Sequence, residues 1–112
     1  MKITYANRKV ETYLKSDAKM QKKLQIPWIR TIRAHMNRLE AAKSFGDILE
    51  LGLGKPEPLS GYKNLTYSLR VSANVRLIFE LKATPDDFRD CKEIKMEGVC
   101  DYHGDKENWY IP

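Results

Sequence analysis

Two cysteines in 112 residues, Cys91 and Cys100, are too few for a disulfide-dense scaffold. They read as two free thiols in a reducing compartment, with a single bridge as the alternative. No stretch approaches the roughly 20 consecutive apolar residues that a membrane-spanning helix needs, which excludes a transmembrane protein. The opening Met1-Lys2-Ile3-Thr4-Tyr5 lacks the apolar core of a secretory signal, so a cytoplasmic location is expected. The phosphate-cradling patterns GxxxxGK(S/T) and GxGxxG are absent. There is no CxxC pair, no HExxH and no GxSxG, so neither a metal nor a cofactor is expected.

What is present suits one globular domain spanning 1–112. Hydrophobic residues make up 42% and charged residues 31%, which is neither a disordered nor a fibrous balance. The net charge of +5 is unevenly placed. Residues 1–56 hold 12 Lys/Arg against 5 Asp/Glu, while residues 57–112 hold 8 against 10. A basic first half fits an anionic partner such as nucleic acid, and equally a solvated lysine-rich helix face.

Along the chain, residues 2–5 read as a short strand. Asn7 is a plausible cap for a helix to about Lys23, with Val10, Leu14, Ala18 and Gln21 on one stripe and Tyr13, Met20 and Leu24 beside it. Pro27 suits the first turn of a second helix, in which Ile29, Ile32, Met36 and Leu39 recur at helical spacing to about Lys43. Residues 44–63 are broken by Gly46, Gly52, Gly54, Pro56, Pro58 and Gly61, with one helical turn expected over Asp47–Leu53. Tyr67, Leu69 and Val71 alternate with Ser68, Arg70 and Ser72. After a tight turn, Val75, Leu77, Phe79 and Leu81 alternate with Arg76, Ile78 and Glu80, which predicts a β-hairpin. Residues 93–102 form a last strand with Ile94, Met96, Cys100 and Tyr102 on one parity and a bulge at Gly98. Helices followed by antiparallel strands make an α+β domain.

The chemistry-bearing groups lie on the strands. Arg76 occupies the polar parity of its strand, and Tyr102 and His103 close the last one. An arginine beside a phenol and an imidazole suits phosphoryl chemistry. The same arginine also suits a cross-strand ion pair with Glu80 or Asp101.

Three segments carry a resemblance: Arg38-Leu39-Glu40-Ala41-Ala42; Leu59-Ser60-Gly61 through Tyr67-Ser68-Leu69 to Asn74-Val75-Arg76-Leu77-Ile78-Phe79-Glu80; and Asp101-Tyr102-His103-Gly104. Together they resemble the HigB-like toxins of the plasmid-maintenance killer group, in the RelE/ParE superfamily. The resemblance implies a RelE-like fold, an N-terminal strand and two-helix hairpin packed on a small antiparallel sheet (β-α-α-β-β-β), with 104–112 as a tail. It implies the toxin of a type II toxin–antitoxin pair, acting as a ribosome-dependent mRNA interferase through metal-free 2′-hydroxyl transesterification. The partners implied are a helix-turn-helix, HigA-like antitoxin, the ribosome and mRNA, and operator DNA only through the antitoxin complex. Arg76 would hold the scissile phosphate, Tyr102 would stack on a base or handle a proton, and His103 matches the family histidine. Lys63, Arg70 and Lys55 are phosphate-binding candidates. Glu57 and Ser60 stand where the family pattern has His and Lys. Glu57 is then the substitute base, and Ser60 removes a cation. That departure leaves two further readings open: a catalytically weak or inactive binding module for an antitoxin, and a ParE-like gyrase inhibitor.

Overall fold

The computed structural model describes residues 1–103 and 106–112. Strand β1 (Lys2–Tyr5) leads into helices α1 (Arg8–Leu14), α2 (Asp17–Met20), α3 (Ile26–Ala41) and α4 (Phe45–Leu51). Strands β2 (Glu57–Leu59), β3 (Thr66–Arg70) and β4 (Val75–Leu81) follow, then a 3-10 turn (Phe88–Asp90), β5 (Glu93–His103) and β6 (Lys106–Ile111). The α+β class holds, with four helices and six strands among the described residues.

The long first helix expected from the sequence is two short ones. Asn7 caps α1 through its side chain, which accepts from the Val10 N–H. The Ser16 hydroxyl then accepts from the Lys19 N–H and starts α2 afresh. The break turns Met20 and Leu24 inward and leaves Ala18 and Gln21 exposed. Helix α3 follows its sequence pattern: Ile29, Ile32, Met36 and Leu39 are all buried, and Pro27 sits in its first turn.

The sheet runs β1-β5-β4-β3-β2, with β6 also on β5. It is mixed rather than antiparallel, because β1 pairs β5 in parallel. The helical layer forms the first part of the long connection that a parallel pair requires, and β2 to β4 form the rest. Along β5, the edge away from β4 carries β1 at Glu93–Met96 and β6 at Val99–His103. The stretch expected to be a tail is thus largely a strand.

The helices cover the face that presents Leu69, Leu77, Phe79 and Ile94, which form one core with Val10, Leu14, Ile32 and Phe45. The expected bulge lies in β5 at Glu97–Gly98 and has a larger consequence than a local kink. Phe79 pairs Met96 while Ile78 pairs Gly98, so Glu97 is an extra residue. An extra residue exchanges the faces of everything beyond it. Ile94, Met96 and Val99 therefore point into the core, while Cys100 and Tyr102 take the opposite face, correcting the single parity expected of them. Both cysteines are free thiols and buried.

Candidate active site

The face of the sheet away from the helices is built from the alternate residues of β3, β4 and β5. Arg76 is the centre of one row, with Arg70 of β3 as its partner on one side and Cys100 of β5 on the other. The next row holds Glu57, Ser68, Ile78 and Gly98. Hairpin alternation sets Arg70 and Arg76 on this face, and the bulge at Glu97 brings Tyr102 to it.

The Arg76 guanidinium is half-buried. Its Nη1 donates to the Ser72 carbonyl at 2.7 Å and to the Val75 carbonyl at 3.1 Å. The group is thereby folded back over the β3–β4 turn and held by backbone rather than by a carboxylate. Of the acidic partners considered from the sequence, Glu80 pairs with Lys95 at 2.9 Å, at the far end of the strand. Burial draws the Arg76 pKa below the usual arginine value, Arg70 draws it down further, and Glu57 opposes both. Two like charges directly opposite on neighbouring strands repel each other, and the balance shifts in favour of whatever anion binds between them.

Glu57 is exposed on β2 and close enough to act on Arg76 electrostatically. Beside it, Ser68 pairs with Glu57 across β2–β3, and its buried hydroxyl has no hydrogen-bond partner among the described residues. Tyr102 is anchored by its N–H, which donates to the Asn74 carbonyl at 2.8 Å in the same turn that holds Arg76. Its hydroxyl lies 2.7 Å from that of Tyr62. Burial first, then the Tyr62 hydrogen bond and the nearby Glu107, raise the Tyr102 pKa far above the normal phenol range. A phenol so held is no base at neutral pH. Cys100 is likewise pushed up, to about 11, mainly by burial, which makes it an inert thiol.

The structure thus brings Arg76, Arg70, Glu57 and Tyr102 to one face. Lys55 is exposed on the turn before β2, in a left-handed conformation with φ 50°. That turn abuts the end of β3, where the Arg70 N–H donates to the Gly54 carbonyl at 2.7 Å. Lys63 is placed away from the arginines, in a small depression of about 160 Å³ that also contains Tyr62, Glu80 and Lys95. His103 belongs to β5 by its backbone, which pairs with Lys106, but its side chain and the Gly104 of the closing motif lie outside the described residues.

Two groups on or beneath this face were not evident from the sequence. Tyr62 sits in a loop with no periodicity, and nothing local links it to Tyr102. His35 falls on the apolar stripe of α3 and is buried. Its Nε2–H donates to the Arg70 carbonyl at 2.7 Å, and its Nδ1 accepts from Arg38. Gly54 packs against the imidazole so tightly that an added Cβ would lie 2.7 Å from its Cε1, and its φ of +78° suits only glycine. His35 thus braces the end of β3 and the turn before β2 from below. The basic residues of α1 to α3 lie on the other side of the sheet from Arg76.

A scan against protein-family models finds no match, and a search of curated proteins finds none either. Among solved structures, the fold is similar to the YoeB dimer from Staphylococcus aureus, at 23% identity and a TM-score of 0.54, covering 92% of this chain and 97% of that one. It is also similar to a YoeB/ParE toxin from Agrobacterium tumefaciens, at 19% identity and a TM-score of 0.51, covering 92% and 100% of the two chains. The shared architecture spans nearly the whole of each chain.

Proposed function

We propose that this chain is the toxin of a type II toxin–antitoxin pair and a ribosome-dependent mRNA interferase of the HigB-like kind. The observation that carries the reading is Arg76 opposite Arg70, with Glu57 and Tyr102 around them, on the open face of a fold that is also found in YoeB toxins. Two neighbouring guanidiniums with a carboxylate at their border suit internal transesterification.

In that reaction the RNA 2′-hydroxyl attacks the adjacent phosphorus while Glu57 accepts its proton. The 5′-oxygen of the next nucleotide leaves and takes up a proton. The products are a 2′,3′-cyclic phosphate and a 5′-hydroxyl. Nη1 of Arg76 is spent on the turn, so Nη2 and Nε face the phosphate and stabilise the charge of the phosphorane, with Arg70 beside them. Tyr102 holds a base, and His103 is the candidate acid for the leaving oxygen. Lys55 and Lys63 extend the contact to flanking phosphates. No metal or cofactor takes part. The partner is a helix-turn-helix antitoxin, HigA-like, which also carries the complex to operator DNA, and the site of action is the cytoplasm.

A second reading is a binding module for the antitoxin that cuts nothing. Ser60 favours it, being exposed and uncharged where a cation would serve the phosphorane. Controlled expression in a bacterial host, followed by primer extension on a translated mRNA, separates the two. Discrete cuts that vanish in Arg76→Ala support the nuclease. Intact mRNA with soluble, folded protein supports the binding module.

A further inference from the structure

We propose that Tyr62 is a positioning residue for Tyr102, holding that ring beside Arg76 as a stacking platform for an RNA base and keeping its hydroxyl out of proton transfer. The inference rests on the nuclease reading above and adds to it a residue that no motif singles out.

The geometry is a ring tied at both ends. At the backbone, the Tyr102 N–H donates to Asn74 in the β3–β4 turn, two residues before Arg76. At the other end, the Tyr102 hydroxyl meets Tyr62 at 2.7 Å. Tyr62 reaches it from the loop after β2, which lies over the outer face near Thr66, Lys95 and Glu97. Neither ring belongs to the main hydrophobic core, and both are half-buried. A side chain fixed at its base and its tip retains its ring face for contact. Stacking on an aromatic face is tolerant of sequence because every base has a π-face.

The electrostatics agree. Burial raises both phenols, and Glu107 raises both further. Either hydroxyl can donate in the bond between them, and that bond adds to the rise at Tyr102. Tyr102 therefore stays protonated in the neutral range, with its hydroxyl bonded to Tyr62. Proton transfer at the 2′-hydroxyl then belongs to another group, Glu57 on the mechanism above.

Were Tyr62 there only to fill space, phenylalanine would do as well. The test therefore compares Tyr62→Phe, Tyr102→Phe, the double variant and Tyr102→Ala on programmed ribosomes, with cleavage rate read against toxin concentration. Each Phe variant is expected to need about five- to tenfold more toxin for half-maximal rate, the worth of one hydrogen bond, with the saturated rate unchanged. The double variant is expected to lose no more than either single one, since both remove the same bond. Tyr102→Ala, which lacks the ring, is expected to lose more than any of them.

Wild-type behaviour of Tyr62→Phe would overturn the proposal. So would a Tyr102→Phe variant whose saturated rate collapses while that of Tyr62→Phe does not, because the hydroxyl would then be moving a proton. If the wild type cuts no RNA, the nuclease reading fails by itself. The pairing is then read by binding of a fluorescent single-stranded RNA oligonucleotide and by phenolate absorbance. Weaker binding of Tyr62→Phe together with ionisation of Tyr102 at lower pH would uphold the positioning role, and the absence of either would overturn it.

Discussion

The two faces of the sheet are made from the same strands by the same alternation, yet they obey different rules. On the helix side, Leu77, Phe79, Ile94, Met96 and Val99 are fully or almost fully buried, and aromatic edges such as Phe45 against Phe79, with centroids 5.9 Å apart, fill the space. The buried His35 lies beneath the end of β3 with both its nitrogens bonded. On the open side, Arg70 opposes Arg76, the Ser68 hydroxyl is buried without a partner among the described residues, and two half-buried phenols feel the charge of Glu107. Each of these is a local cost, and all of them fall on one face. A fold tolerates such concentrated cost where a ligand relieves it, while the opposite face supplies the stability that makes the cost bearable.

That contrast can be broken from the stable side first. Phe79→Ala removes a fully buried ring from the centre of the core and is expected to lower stability by about 3–5 kcal/mol in chemical denaturation. Gly98→Ala tests the bulge that sorts β5 between the faces. An added Cβ there would meet the Ile111 carbonyl at 1.9 Å, at a φ of +146°. The expected loss is about 1–3 kcal/mol or more, with β6 displaced and Tyr102 fluorescence altered. A Gly98→Ala variant of wild-type stability would refute this account of β5.

A smaller effect comes from pH. Burial lowers the His35 pKa, the Arg70 carbonyl partly opposes that shift, and Arg38 adds to the lowering. The unfolded chain takes up a proton there near the ordinary value of about 6.5, and the folded protein does so only at lower pH. The unfolded state binds more protons in that interval, so stability is complete above about pH 6.5 and declines as pH falls below it. Urea midpoints between pH 7.5 and 5.5 should show this slope, and His35→Gln should flatten it. Glu80 acts in a separate and more acid window. Burial pushes its pKa up, but Lys95 and Lys82 outweigh that and hold it below the usual 4.5, so its contribution is lost only as pH falls under that value. The smallest expected effect on stability is at the site itself. Arg76→Ala should shift the denaturation midpoint by no more than about 0.5–1 kcal/mol, in either direction, because it also relieves the repulsion from Arg70.

How much of this was legible in the sequence follows from how local each feature is. The β3–β4 hairpin and α3 were readable, because alternation and helical spacing are local and Ile29, Ile32, Met36 and Leu39 are their own signal. The break at Ser16 was not, since one capping hydroxyl competes with a continuous helical pattern. The parallel pairing of β1 with β5 joins residues some ninety positions apart and leaves no local trace. Gly98 marks the bulge in the sequence, but simple alternation puts Tyr102 on the face of Ile94, because a period of two does not register the extra residue at Glu97. At the site, the motif resemblance pointed to Arg76, Arg70, Glu57 and Tyr102, which the strands gather. Tyr62 and His35 act through single side-chain contacts that only the folded chain makes. Position along the chain puts Lys63 near the phosphate-binding candidates, whereas the fold places it with Glu80 and Lys95.

The most direct test of the contrast between the faces is RNA cleavage by the purified chain on programmed ribosomes, in chelator, with matched mRNAs carrying either ribose or 2′-deoxyribose at the scissile nucleotide. The ribose mRNA is expected to be cut, leaving 2′,3′-cyclic phosphate ends. The deoxy mRNA is expected to stay intact, and Arg76→Ala is expected to cut about 10²–10³ more slowly at unchanged stability. Equal cutting of both mRNAs, or of the ribose mRNA by Arg76→Ala at the wild-type rate, would contradict that contrast.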